Sequence, residues 1–218
     1  MAVDVATADE HPVPVTGAES SEAEKANALR ERLLLARLKR RDARAFAELV
    51  RTHQDRVFDL CARMLNDREE ALDVAQEVFV ALHGSLSQFR GESRLSTWIF
   101  KVAKNHCLNR LKYLGRRQRG KTDELGDVPE GELAAHQALP SPQEALLGKE
   151  QQARVQAAIA QLPEEQRLLV ILRDIEGLTY DEIVQITDQP EGTVKSRLHR
   201  ARTALAEILG GKEPEDGS

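Results

Sequence analysis

The chain has 218 residues, 41% hydrophobic and 31% charged, with a net charge of −5. That is long enough for one ordinary domain or two small ones and fits a soluble globular protein. Two cysteines, Cys61 and Cys107, are too few for a disulfide scaffold and lack the paired spacing of a zinc site, so a reducing cytoplasm is the expected compartment.

Aromatics are scarce and Leu, Ala and Arg dominate, which predicts an all-α fold. Residues 1–25 are rich in Ala, Glu, Ser, Pro and Asp without a period and read as a disordered tail. Their acidic start is the wrong sign for a secretory leader, and no apolar run approaches the roughly 18–20 residues that span a bilayer. A first helical domain is expected over 26–114. In it Phe46, Leu49, Val50, Val57, Leu60, Cys61 and Met64 fall at helical spacing. Asn66-Asp67 breaks that helix, and Asp67 with Glu70 three residues on starts the next as a capping box. Its core stripe is Ala71, Val74, Ala75, Val78, Phe79 and Leu82. A loop over 84–93 leads to a further helix from about Leu95 to Tyr113. Residues 115–148 carry Gly, Pro and acids without an apolar period and predict a flexible linker. A second small helical domain follows over 149–210, then a polar tail at 211–218.

Charge is unevenly spread. Residues 93–122 hold nine Lys or Arg and no acid, and residues 192–206 hold four and again no acid. Two basic patches on an acidic chain are an electrostatic footprint for nucleic acid. In the second patch, Thr179 and Glu182 form a capping box for a short helix, and Asp188-Gln189-Pro190 ends it. The next helix buries Val194, Leu198, Ala201 and Leu205 and turns Lys195, Ser196, His199, Arg200 and Thr203 outward. A short helix, a tight turn and a helix with a basic outer face make a helix-turn-helix, sized for a DNA major groove. In the first patch Thr97, Lys101, Lys104, Asn105 and Lys112 lie along one stripe, suited to phosphate tracking and a few base contacts. The loop beside them could hold an extruded base. Taken alone, Trp98 reads as core and Asn105 equally well as a surface amide. Asp73, Gln76, Glu77 and Val80 share the face opposite the core stripe, and spacing alone makes that a solvated face.

In this order and spacing, these stretches resemble the bacterial sigma factors, the extracytoplasmic-function group above all. The motifs are Asp73-x-x-Gln76-Glu77, Phe89-Arg90-Gly91 with Thr97-Trp98, Leu162-Pro163 with Arg167, Gly177-Leu178-Thr179-Tyr180 with Glu182-Ile183, and Pro190 through Arg202. The resemblance covers about residues 35–210. It implies that 26–114 docks on core RNA polymerase through Asp73, Gln76, Glu77 and Val80. The partner surfaces would be the clamp helices and flap of the two large subunits. It implies that Arg90, Thr97, Trp98, Lys101, Lys104 and Asn105 act at the −10 element, with an unpaired base captured. Lys195, Ser196, His199, Arg200 and Arg202 would read the −35 element as duplex, Arg202 through phosphate. Asp188 stands where a small residue is commoner, so the recognition helix is expected to tilt slightly. Aromatics flanking the Trp98 position and an extra linker domain, found in primary sigma factors, are missing, which implies strict promoter choice and weak melting.

No bond chemistry, cofactor or metal is implied for this chain; the polymerase supplies nucleotidyl transfer with its own magnesium. The expected role is promoter-specific initiation under a stress or envelope signal, with an anti-sigma protein as a further partner. One rival is a free-standing helix-turn-helix regulator, which leaves the first basic stripe without a purpose. Another is a nuclease or recombinase with Glu69, Glu70, Asp73 and Glu77 as ligands, but their spacing gives an exposed face rather than a converging site.

Overall fold

The computed structural model describes residues 17–89, 91–121 and 142–210. Among them all regular structure is helical, as the composition predicts. Two compact units result, Met1–Ala45 and Phe46–Ser218.

Helix α1 (Gly17–Lys39) lies in the first unit. It takes in residues 17–25, assigned above to a tail, because Ala, Glu and Lys favour a helix even without an apolar period. Residues 1–16 and 211–218 of the expected tails lie outside the described residues. Arg41 turns the chain at φ 57°, and Asp42 caps α2 (Ala43–Leu65) by accepting from the Arg44 and Ala45 amides at 2.8 and 3.2 Å. Arg37 donates to the same carboxylate at 3.0 Å, and that bond holds the Asp42 carboxyl below its ordinary range.

In the second unit α2 buries Leu49, Val57, Leu60, Cys61 and Met64. It stops where Asn66 enters the left-handed region at φ 52°, a conformation Asn tolerates. Asp67 then caps α3 (Arg68–Ser85), accepting from the Glu69 and Glu70 amides at 2.9 and 3.1 Å. The Glu70 carboxylate pairs with Arg110 on α4 (Leu95–Lys121), against which α3 packs. Cys61 and Cys107 are both buried free thiols, their sulfurs 3.6 Å apart. The bond to Cys61, with burial, pushes the Cys107 thiol well above its ordinary range.

Helix α4 continues past Tyr113 to Lys121, since one internal glycine, Gly115, costs a helix only about 1 kcal/mol. Helix α5 (Pro142–Gln161) starts earlier than position 149, with proline in the first position, where its missing N–H is harmless. Both ends of the expected linker are therefore helical, and residues 122–141 lie outside the described residues. After Pro163 come α6 (Glu164–Val170) and a π-helical turn at Ile171–Ile175, closed by Gly177 at φ 68° and a Leu178 N–H to Leu172 carbonyl bond of 3.0 Å. Helices α7 (Tyr180–Thr187) and α8 (Glu191–Gly210) complete the unit. Ile159, Leu169, Ile171, Leu172, Ile183 and Leu198 fill the core of α5 to α8.

The two halves of this unit are tied together. Arg167 donates to the Met64 carbonyl at the end of α2 at 2.5 Å, and also to the carbonyls of Ala160 and Leu162. Arg56 on α2 donates to Glu176 at 2.8 Å, and α4 packs along α7.

Candidate nucleic-acid and polymerase interface

The α3 face is built by period alone. Ala71, Val74, Ala75, Val78 and Leu82 turn inward, which leaves Asp73, Gln76, Glu77 and Val80 outward and exposed. Phe79, expected in the core stripe, is half-buried. Val80 is 73% exposed, an aliphatic side chain open to water on a polar face. Glu77 accepts from Arg110 at 2.7 Å and lies 3.5 Å from His106 Nδ1. Glu70 and Glu77 thus converge on the Arg110 guanidinium.

The first basic stripe divides. Asn105 and Lys112 are exposed. Thr97 and Lys104 are buried, at 2% and 7% exposure, under α7 and the turn after it. Lys104 donates to the Ile186 carbonyl at 2.9 Å, and Lys101 pairs with Asp188 at 2.6 Å. Burial pushes the Lys104 ammonium below its ordinary range, while Asp188 opposes the shift. Phe89 is buried, and its ring lies 4.9 Å from that of half-buried Trp98, so the core reading of Trp98 accounts for one of its faces. Gly91, at φ 81°, gives the loop a bend that a side chain would strain. Arg90 lies outside the described residues. Ser93, Arg94 and Thr97 face Thr179, Glu182 and Gln185 across a cleft of about 330 Å³, which Arg94 and Glu182 bridge at 3.5 Å.

The helix-turn-helix forms as its sequence predicts. Thr179 accepts from the Glu182 amide at 3.3 Å and the Glu182 carboxylate accepts from the Thr179 amide at 2.9 Å, completing the capping box. Asp188 ends α7 in the left-handed region at φ 57°, its N–H donating to Val184 at 2.8 Å. Val194, Leu198 and Ala201 are buried, Leu205 is half-buried, and Lys195, Ser196, His199, Arg200, Arg202 and Thr203 are exposed. Lys195 pairs with Glu191 at 2.6 Å over the Tyr180 ring, and Arg202 forms two bonds to Asp174.

Sequence reasoning missed the ties between the halves. Arg56 and Glu176, or Lys104 and the Ile186 carbonyl, meet across long sequence separations that carry no local period. Asp188 did carry a signal, as an acid in the turn between two basic readers.

Two family models match the chain, Sigma-70 region 2 over residues 49–117 and Sigma-70, region 4 over residues 152–205. The RNA polymerase sigma-H factor of Pseudomonas aeruginosa is 40% identical over 178 residues, 81% of this chain and 92% of that protein. The ECF RNA polymerase sigma-E factor of Escherichia coli K12 is 34% identical over 178 residues, again 81% of this chain and 93% of that protein. Among solved structures, the sigma factor RpoE in complex with the anti-sigma factor NepR from Bartonella quintana superposes with a TM-score of 0.62 at 21% identity, covering 77% of this chain and 98% of that one. CnrH in complex with the cytosolic domain of CnrY gives 0.61 at 22% identity, covering 84% and 99%. These two likenesses support the fold.

Proposed function

This chain belongs to the sigma-70 family of RNA polymerase sigma factors, in its extracytoplasmic-function group, and from that premise we propose how its residues divide the work of initiation. Residues 26–114 serve as the domain that docks on core polymerase and acts at the −10 element. Residues 149–210 read the −35 element, 115–148 connect the two, and 1–25 and 211–218 flank them. Asp73, Gln76, Glu77 and Val80 meet the polymerase clamp. Here the exposed valine adds apolar area to a polar contact, the composition that a protein interface core favours over charge alone. Thr97, Trp98, Lys101, Lys104 and Asn105, with Arg90, act at the −10 element once strands part. Lys195, Ser196, His199 and Arg200 enter the −35 groove, and Arg202 lies toward phosphate.

The observation that supports this division best is the coexistence of two outward faces in one chain. One, on α3, is acidic with an open valine; the other, on α8, is basic around His199. A free-standing helix-turn-helix regulator uses only the second. An anti-sigma protein is a further partner on this reading, since the sigma factor RpoE, of like fold, is seen in complex with the anti-sigma factor NepR. The chain acts as a non-catalytic subunit in the cytoplasm. Among the described residues no helix is long and apolar enough to cross a membrane. In vitro transcription with purified core polymerase on genomic promoter fragments tests the proposal. Promoter-specific transcripts that require the chain are expected. Tight sequence-specific duplex binding with no effect on the polymerase would favour the regulator.

A further inference from the structure

We propose that Arg110, on α4, is a positioning residue for the polymerase-docking face of α3, holding the Glu77 carboxylate in the conformation in which it meets the clamp. The inference rests on the docking role given above to Asp73, Gln76, Glu77 and Val80. Glu70 and Glu77 stand seven residues apart, two turns of α3, and so share one side of the helix. One Nη of Arg110 donates to Glu70 and the other to Glu77 Oε1, the latter at 2.7 Å. His106, one turn earlier on α4, brings its Nδ1 within 3.5 Å of the other Glu77 oxygen. A planar guanidinium fixes the direction of both bonds, which a point-like ammonium does not. Burial alone would lower the Arg110 pKa, yet the bonds and charges of Glu70 and Glu77 hold it above its ordinary range.

Exposure grades along these contacts in the direction such a role needs. The Arg110 side chain is 18% exposed and that of Glu70 24%, whereas Glu77 keeps 51% of its side chain open beside exposed Asp73, Gln76 and Val80. Glu70 is therefore the anchor, Arg110 the strut and Glu77 the presented end. A free glutamate on a helix surface samples several rotamers, and a partner that grips it must first order it. With the strut in place that ordering belongs to folding and no longer to docking. The pairing of α3 with α4 has other support, since Val74, Val78 and Leu82 on one helix and Phe100, Ala103 and Cys107 on the other are buried. Part-exposed ion pairs add little to stability beside such a core, so orientation is what this one contributes.

The test is a double-mutant cycle over Arg110 and Glu77, with the labelled full chain titrated against purified core polymerase and binding read by fluorescence anisotropy. Arg110→Met keeps the length of the side chain and removes the fork, and Arg110→Lys keeps the charge but not the fork. Arg116→Met, exposed further along α4, controls for net charge. Arg110→Met should weaken binding about two- to tenfold, the cost of ordering one long side chain on association, and Arg110→Lys by less. In a Glu77→Ala background both losses should vanish, and Arg116→Met should bind like the wild type. Wild-type affinity in Arg110→Met, a loss that persists undiminished without Glu77, or an equal loss in Arg116→Met would overturn the role. Circular dichroism melting checks folding. If Arg110→Met does not fold, the cycle is read from Arg110→Lys, and wild-type affinity there decides against the fork. Asp73→Ala reads the docking face separately. A loss in Asp73→Ala beside an unchanged Arg110→Met keeps the docking face and discards the strut. Wild-type binding in Asp73→Ala, Glu77→Ala and Arg110→Met alike removes the docking face and the strut with it.

Discussion

Val80→Ala should weaken assembly with core polymerase about sevenfold while leaving the chain folded. The side chain is 73% exposed, so its packing contributes little to the fold. Val→Ala removes two methyl equivalents, worth about 0.8 kcal/mol each when fully buried. If docking covers the part now open to water, 73% of about 1.6 kcal/mol, near 1.2 kcal/mol, is lost. At about 1.4 kcal/mol per tenfold that is a factor of six to seven. A titration of labelled chain against core polymerase measures it, with circular dichroism melting as the folding control. Val80→Asp should cost more, because it carries a charge into the same contact. If both variants bind like the wild type and melt like it, the open valine lies outside the interface and the α3 face is only solvated.

The other expectations are narrower. Asp73→Ala with Glu77→Ala should reduce polymerase binding yet shift stability by no more than about 1 kcal/mol in urea titrations, since Glu70 still holds Arg110. Arg200→Ala should cost about 1–3 kcal/mol of discrimination at one or two −35 positions in transcription from a randomised promoter library. Arg202→Ala should weaken all sequences alike and flatten the salt dependence, read by anisotropy at several salt concentrations. Leu198→Ala opens a cavity in the α8 core and should destabilise the chain by about 2–5 kcal/mol in denaturant unfolding. Burial lowers the pKa of His53, with Arg56 adding to it. Its folded pKa lies below its unfolded value near 6.5, so the unfolded chain binds the proton first. Stability is therefore full above about pH 6.5 and falls as the pH drops below it, and His53→Gln should flatten that slope in melting curves.

What the sequence displayed was whatever has a period or a cap. The α3 and α8 faces were legible because helical spacing alone separates Val74 and Val78 from Gln76 and Glu77, and Val194 and Leu198 from Lys195 and His199. The Thr179–Glu182 box was legible for the same local reason. Two helix ends were not. Gly115 and the Ala–Glu-rich start of α1 look like breaks in composition, yet a helix tolerates both at small cost. The stripe from Thr97 to Lys112 was read as one exposed surface. Its covered half depends on α7 and the turn after it, some eighty residues away in the chain, which contribute the Ile186 carbonyl and the Asp188 charge.

The charge segregation seen in the sequence acquires its sense from that covering. Thirty residues around α4 contain no acid, so their cations cannot be satisfied locally and must find anions elsewhere. The anions come from α3, where Glu70 and Glu77 take Arg110, and from α7 and the segments flanking it. Asp188 takes Lys101, Glu182 takes Arg94, and Glu176 takes Arg56 of neighbouring α2. Each is an exposed or part-exposed pair of the kind that adds little net stability but fixes orientation. On the proposed division of roles, promoter DNA would offer this face a denser row of anions than these few carboxylates, and the clamp would hold the chain independently through α3.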